Sequence, residues 1–188
     1  HPNPADAFRD CLGMVPEPLL FLAMRPGAPE QRDFAGAWFV GLAHLADRSA
    51  KTSYRQAIIA RGLANKWQLG KRVYHADDHV IAASYLWAAR NGVGAEAIAP
   101  LRERFDGILK DPPQVGLGHA DYDDPRGVSC AQRWCWCDAI FMAPPVWLEL
   151  AKTTGQSQYA EYAKQEFAAV TEYLFDAEEH LYYRDSRF

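Results

Sequence analysis

Two stretches set 105 residues apart decide how this chain folds: Ala46-Asp47-Arg48-Ser49-Ala50-Lys51-Thr52-Ser53-Tyr54 and Ala151-Lys152-Thr153-Thr154-Gly155-Gln156-Ser157-Gln158-Tyr159. In each, an Ala closes one helical pattern and a Tyr lies eight residues on, inside the next. Trp87-Ala88-Ala89-Arg90-Asn91-Gly92 makes a similar turn between them. The surrounding apolar residues recur at helical spacing. Phe34, Trp38, Leu42 and Leu45 mark a helix over 31–47, and Tyr54, Ile58, Leu63 and Trp67 a second over 53–67. Further helices are predicted over 80–89, 95–109, 134–151 (interrupted by Pro144-Pro145) and 158–174. No convincing period-2 strand is present, although 178–188 fits a short strand or turn. The chain is therefore all-α, with about three helical hairpins and a long insert over 111–133. A hairpin cannot bury its apolar flank alone, so neighbours must stack, as in solenoids and α/α toroids.

Residues 1–30 differ. They hold six of the twelve prolines, Pro2, Pro4, Pro16, Pro18, Pro26 and Pro29. Proline at this density breaks helices, so an irregular N-terminal arm is expected before a helical domain over 31–188. The first residues lack the positive start and apolar stretch of a signal peptide, which leaves cytoplasm and periplasm both open.

Composition narrows the function. With 188 residues the chain is long enough for one domain with a real core. It is 49% hydrophobic and 23% charged, which excludes wholesale disorder. No apolar run reaches the ~18 residues of a membrane span. Net charge is −4, and the longest basic cluster is Lys71-Arg72, so a nucleic-acid partner is not expected. A few local arginines can still bind an anionic small molecule. The cysteines are Cys11, Cys130, Cys135 and Cys137. Cys135 and Cys137 are too close to bridge and lack a second pair for zinc, so free buried thiols in a reducing compartment are expected.

Two segments carry unusual chemistry. Tyr74-His75-Ala76-Asp77-Asp78-His79 sets two carboxylates between two imidazoles. It reads as an Asp N-cap with a solvated first turn, as a His75/His79 metal pair, or as a catalytic carboxylate. Arg133-Trp134-Cys135-Trp136-Cys137-Asp138-Ala139-Ile140-Phe141-Met142-Ala143-Pro144-Pro145 buries a lone acid in an aromatic run. Asp138 there either caps a helix end or serves chemistry, and it must be bonded, paired or protonated. The helix start favours the anionic form of Asp78. Desolvation among Trp134, Trp136 and Phe141 favours the neutral form of Asp138. Carboxyl groups whose environments push their pKa values apart suit acid/base work. Each cluster begins the first helix of a hairpin, so a toroid would bring both to one rim of its inner ring.

These two blocks, with His180-Leu181-Tyr182-Tyr183-Arg184-Asp185-Ser186-Arg187-Phe188, resemble glycoside hydrolase family 105, the unsaturated rhamnogalacturonyl hydrolases, and the related family 88 unsaturated glucuronyl hydrolases. The likeness runs from about Asp33 to Phe188. It implies the N-terminal half of an (α/α)6 toroid, with self-association or a C-terminal half covering its open side. It implies a 4,5-unsaturated uronyl oligosaccharide as substrate, expected here as a galacturonyl end of lyase-cut pectin. Protonation at C4 gives oxocarbenium character at C5, water adds there, and the ring opens to release the shortened sugar. Carried over by position, Asp138 is the general acid/base and the acidic pair supplies a second site carboxylate, Asp78 in preference to Asp77. Trp136 lines the sugar site, with His75 and Trp134 as further candidates and Arg184 facing an acidic sugar. Phe39 stands where some relatives have Tyr. No metal or organic cofactor is implied. The rival readings are a helical-repeat binding module, another toroid enzyme acting on saturated glycosides, and a metal hydrolase using His75, Asp77 and His79.

Overall fold

A computed structural model describes residues 32–118 and 129–188; the Pro-rich arm, Cys11 and residues 119–128 of the insert lie outside them. Eight α-helices fall within this range: α1 Arg32–Arg48, α2 Thr52–Ala64, α3 Ala76–Val80, α4 Ala82–Ala88, α5 Ala99–Lys110, α6 Ala139–Met142, α7 Pro144–Thr154 and α8 Ser157–Leu174. Short 3₁₀ turns occupy Ala95–Ile98 and Cys130–Arg133. Two strands, β1 Phe175–Asp176 and β2 Leu181–Tyr182, pair antiparallel, with Phe175 opposite Tyr182.

The helices form three hairpins: α1 with α2, α3–α4 with α5, and α6–α7 with α8. Their packing sorts them into two rows. The first helices of successive hairpins touch, α1 against α3 and α4, α4 against α7, and α3 against α6. The second helices cover them, α2 on α1 and α4, and α8 on α7 and α5. The repeated tyrosines explain the recurrence, because Tyr54 and Tyr159 are both buried just inside the second helix of their hairpins. Gly155, at φ +72, ends α7 in the left-handed conformation that glycine adopts without steric cost.

Several boundaries differ from the periodicity. The second helix stops at Ala64 rather than Trp67, because Lys66 and Trp67 take positive φ. The chain folds back there, Trp67 N–H donating to the Gly62 carbonyl at 2.8 Å while its ring meets Tyr85 edge-on. Leu63 fits the apolar spacing but is exposed. Pro144-Pro145 starts a helix instead of merely interrupting one, since the first turn needs no proline N–H. Gly36 marks the tightest approach of α1 to α3, where an added Cβ would lie 2.3 Å from a Val80 methyl.

The core centres on stacked aromatics. Phe105 and Trp147 lie parallel with centroids 3.7 Å apart, and Trp134, Tyr159 and Tyr162 pack around Trp147. His79 is fully buried among them. Its Nε2–H donates to the Val73 carbonyl at 2.8 Å, and its Nδ1 faces Trp147 Nε1–H at 3.4 Å. Burial pushes its pKa down to about 4; Arg104 and His75 add to that, while the Val73 bond and Asp78 oppose it. With both ring nitrogens engaged in the core, His79 cannot join His75 as a metal ligand.

The cysteine expectation is corrected. Cys130 and Cys135, both buried, form a disulfide, leaving Cys137 as the free thiol among the described residues. The pairing spans five positions, closed by the tight Cys130–Arg133 turn rather than by the Cys135-x-Cys137 spacing. It removes the reason to expect a reducing compartment.

Candidate active site

Three segments distant in sequence meet where α3 packs on α6. The first is the start of α3. His75 is its N-cap, and His75 Nδ1 accepts the Asp77 N–H at 3.3 Å. The second is the turn before α6. There the Cys130–Arg133 turn ends on Trp134 in the left-handed conformation, φ +57. That reversal sends Trp134 inward and lets Trp136 and Asp138 follow on the outer side. The third is the end of the β-hairpin. Asp176 organises it, its carboxylate accepting Glu178 and Glu179 N–H and the Tyr183 hydroxyl. The hairpin delivers Arg184, whose carbonyl accepts the Cys137 N–H at 3.0 Å.

The side chains follow the backbone. Trp136 is half-buried, with the His75 ring edge-on at 6.3 Å and the Arg184 guanidinium carbon 5.7 Å from its centroid. An Arg over an indole face is held by the ring quadrupole. The Arg184 side chain is 59% exposed, and Asp185 is only loosely paired with it at 3.8 Å. Arg187 instead binds Asp185 through two bonds of 2.9 Å. Asp77 lies 3.2 Å from His75 Nδ1 and 3.4 Å from Arg72.

Asp138 occupies the N-cap of α6, yet its side chain makes no capping bond, and it is exposed. The expected desolvation by Trp134, Trp136 and Phe141 is therefore corrected: Trp134 is turned into the core and Phe141 is itself 60% exposed. The helix-capping alternative for Asp138 also loses its basis.

Two further expectations change. Asp78 was preferred as the second site carboxylate, but its side chain is wholly buried and committed. Its Oδ2 accepts the Arg72 backbone N–H at 2.6 Å, and its Oδ1 accepts Arg72 Nη2 at 2.7 Å and Nε at 3.2 Å. Burial raises the Asp78 pKa, but the Arg72 hydrogen bonds and charge, with His75 beyond, outweigh it and hold the carboxyl below its ordinary value. The anionic form is favoured as expected, by Arg72 more than by a helix start. Gly70 closes the other side; a Cβ there would sit 2.2 Å from the Asp78 carboxyl carbon. Trp134 is likewise a core residue, 1% exposed, with its indole N–H on the Tyr74 carbonyl at 3.2 Å. It cannot line a sugar site. Arg72 was the residue missed: the sequence showed it only as half of a small basic cluster. Phe39 is buried, edge-on to Trp38.

Among the described residues, a cleft of about 520 Å³ between the end of α5 and α8 contains none of these side chains. No group of three or more His, Cys, Asp or Glu there is placed to hold a metal ion, and no described helix is long and apolar enough to cross a membrane.

The comparisons with known proteins agree on the class. The model of Glycosyl Hydrolase Family 88 matches residues 28–188. An unsaturated 3S-rhamnoglycuronyl hydrolase of Alteromonas sp. is 47% identical over 123 residues, covering 63% of this chain and 30% of that protein. One of the same name from Formosa agariphila is 31% identical over 155 residues, covering 81% and 40%. The chain thus spans well under half the length of these curated relatives. In fold it is similar to a polysaccharide lyase (TM-score 0.67, 20% identity, 81% of this chain and 43% of that one). It is also similar to a family 88 glycosyl hydrolase from Bacteroides vulgatus (TM-score 0.62, 20% identity, 80% and 44%). The three stacked hairpins are accordingly part of an α/α toroid. The chain belongs to Glycosyl Hydrolase Family 88, a glycosidase family and the second of the two related families that its three blocks resemble.

Proposed function

We propose that the whole protein removes a 4,5-unsaturated uronic acid from the non-reducing end of lyase-generated oligosaccharides, by hydrating the C4–C5 double bond. The observation that carries this reading is an exposed Asp138 carboxyl that caps nothing, two residues after a Trp136 that His75 and Arg184 flank. In its protonated form Asp138 donates to C4, and the ring oxygen shares the positive charge that develops at C5. Water adds at C5 and gives its proton back to the carboxylate. The resulting C5 hemiketal opens to a ketone, leaving C1 as a hemiacetal that expels the shortened sugar. One carboxyl group serves both proton transfers, so the two-carboxylate spacing rule of ordinary glycosidases does not constrain this site. Trp136 offers an apolar face to a sugar ring. Asp77, rather than Asp78, is the second site carboxylate, because it lies against His75. Arg184 faces the acidic sugar.

The names of the two relatives support a glycuronyl end joined to rhamnose, the coarser class within which a pectin galacturonyl end is one member. The test is loss of the enoate's ultraviolet absorbance with the full-length protein on two unsaturated uronyl–rhamnose disaccharides, one cut from a glucuronyl–rhamnose polymer and one from pectin. Elimination at C4 gives both the same unsaturated ring, so the two differ in anomeric configuration and linkage. Loss on the pectin-derived disaccharide supports the galacturonyl reading, and loss on the other alone overturns it. No loss on either overturns the hydrolase reading in favour of a binding module.

A further inference from the structure

Asp77 and Asp78 are adjacent in the first turn of a five-residue helix, with side chains only 9% and 0% exposed. Two carboxylates buried this close repel each other and lose hydration, an arrangement that survives only with a shared counter-charge. Arg72 supplies it. Its backbone N–H, Nε and Nη2 all engage Asp78, and the same Nη2 reaches Asp77 Oδ2 at 3.4 Å. Asp77 is joined to His75 by its backbone N–H, which donates to His75 Nδ1 at 3.3 Å, with its Oδ2 3.2 Å from the same nitrogen, and the His75 ring stands edge-on to Trp136. The loop that carries Arg72 is pinned at Gly70, whose carbonyl accepts from Arg104 on α5 at 3.0 Å and whose N–H donates to the Asp78 carbonyl at 3.3 Å. A continuous polar path therefore runs from wholly buried Asp78, through Arg72 and Asp77, to the His75–Trp136 wall.

We infer that Arg72 is a positioning residue for the proposed reaction: anchored on Asp78, it fixes the Asp77 carboxyl beside His75. Asp78 is then the fixed post of the device rather than a group that meets substrate. This rests on the hydration reading and assigns a division of labour within the acidic pair. The guanidinium fork matters as well as its charge, since Lys cannot bind Asp78 through two side-chain nitrogens while reaching Asp77.

The test is a double-mutant cycle in the full-length protein. Arg72→Gln should lower kcat by about 100-fold, as loss of alignment does, with Arg72→Lys between it and wild type. In an Asp77→Asn background the further loss from Arg72→Gln should shrink to about 3-fold or less, because residues acting through one another are not additive. A merely structural Arg72 would instead give losses that multiply, in step with the melting temperature. Multiplying losses, or an Arg72→Gln enzyme within about 3-fold of wild type, overturn the inference. If Arg72→Gln fails to fold, the same cycle with Arg72→Lys decides by the same criterion. An inactive wild type would overturn the hydration reading itself, a distinct outcome.

Discussion

Asp138→Asn in the full-length protein should lower kcat on the unsaturated disaccharide by about 1,000-fold, the middle of the range that one positioned acid/base group supplies. Two features make the prediction sharp. The amide keeps the shape of the carboxyl but neither donates a proton to carbon nor takes one from water at useful rates. The carboxyl also does nothing for the fold here, being exposed and uninvolved in capping α6. The unfolding free energy should therefore stay within the ~0.5 kcal/mol expected of a surface substitution, leaving the melting temperature nearly unchanged. Initial rates of absorbance loss and a thermal melt on the same sample check both parts. Retained activity would remove Asp138 from the chemistry. A fall in melting temperature matching the fall in rate would make it a structural residue.

The second large effect concerns stability and pH. His79 is held at a pKa of about 4, against 6.5 for an ordinary imidazole. The cause is burial: a charged imidazolium would lose its hydration inside the aromatic core around Phe105 and Trp147. Above pH 6.5 the ring is neutral in folded and unfolded chains alike, and its contribution is fully present. As pH falls from 6.5 towards 4, the unfolded chain takes up a proton that the folded one refuses. Stability is lost through that window and no further below it, by about 3 kcal/mol in all. Urea midpoints at pH 7 and pH 4.5 should therefore separate strongly. His79→Gln, which cannot titrate, should lose most of that separation, and an unchanged pH dependence in the variant would contradict the assignment. Asp78 adds little to the comparison, because the stability its depressed carboxyl contributes is lost as the pH falls through the ordinary carboxylate value and below, and pH 4.5 lies above that value.

The hairpin architecture was legible because it rests on periodicity and on repeated turns. Ala46–Tyr54 and Ala151–Tyr159 look alike since each must reverse the chain and bury a Tyr in the same relative place. The convergence of the acidic and aromatic blocks was legible for the same reason, as each opens the inner helix of its hairpin and those helices are neighbours. Where the reading failed, the deciding fact was a direction rather than a spacing. Trp134 and Trp136 differ by two positions, but the positive φ of Trp134 sends one into the core and leaves the other half-exposed. Asp77 and Asp78 are neighbours on a helix, about 100° apart, so one meets the Arg72 loop and the other His75. Spacing alone does not carry that rotation. Arg72 carried only a faint signal, a cation five and six residues before two acids. The Cys130–Cys135 bridge depends on a tight turn that apolar spacing does not reveal.

The central claim is that the site hydrates an enol ether instead of cleaving a glycosidic bond directly. The most direct measurement is to run the full-length protein on the unsaturated glucuronyl–rhamnose disaccharide in heavy water and follow the released uronate by NMR. Hydration predicts deuterium at C4, no remaining C4–C5 double bond and an open-chain keto product. A released uronate that keeps its double bond, with no deuterium at C4, would contradict the account and make the protein an ordinary glycosidase.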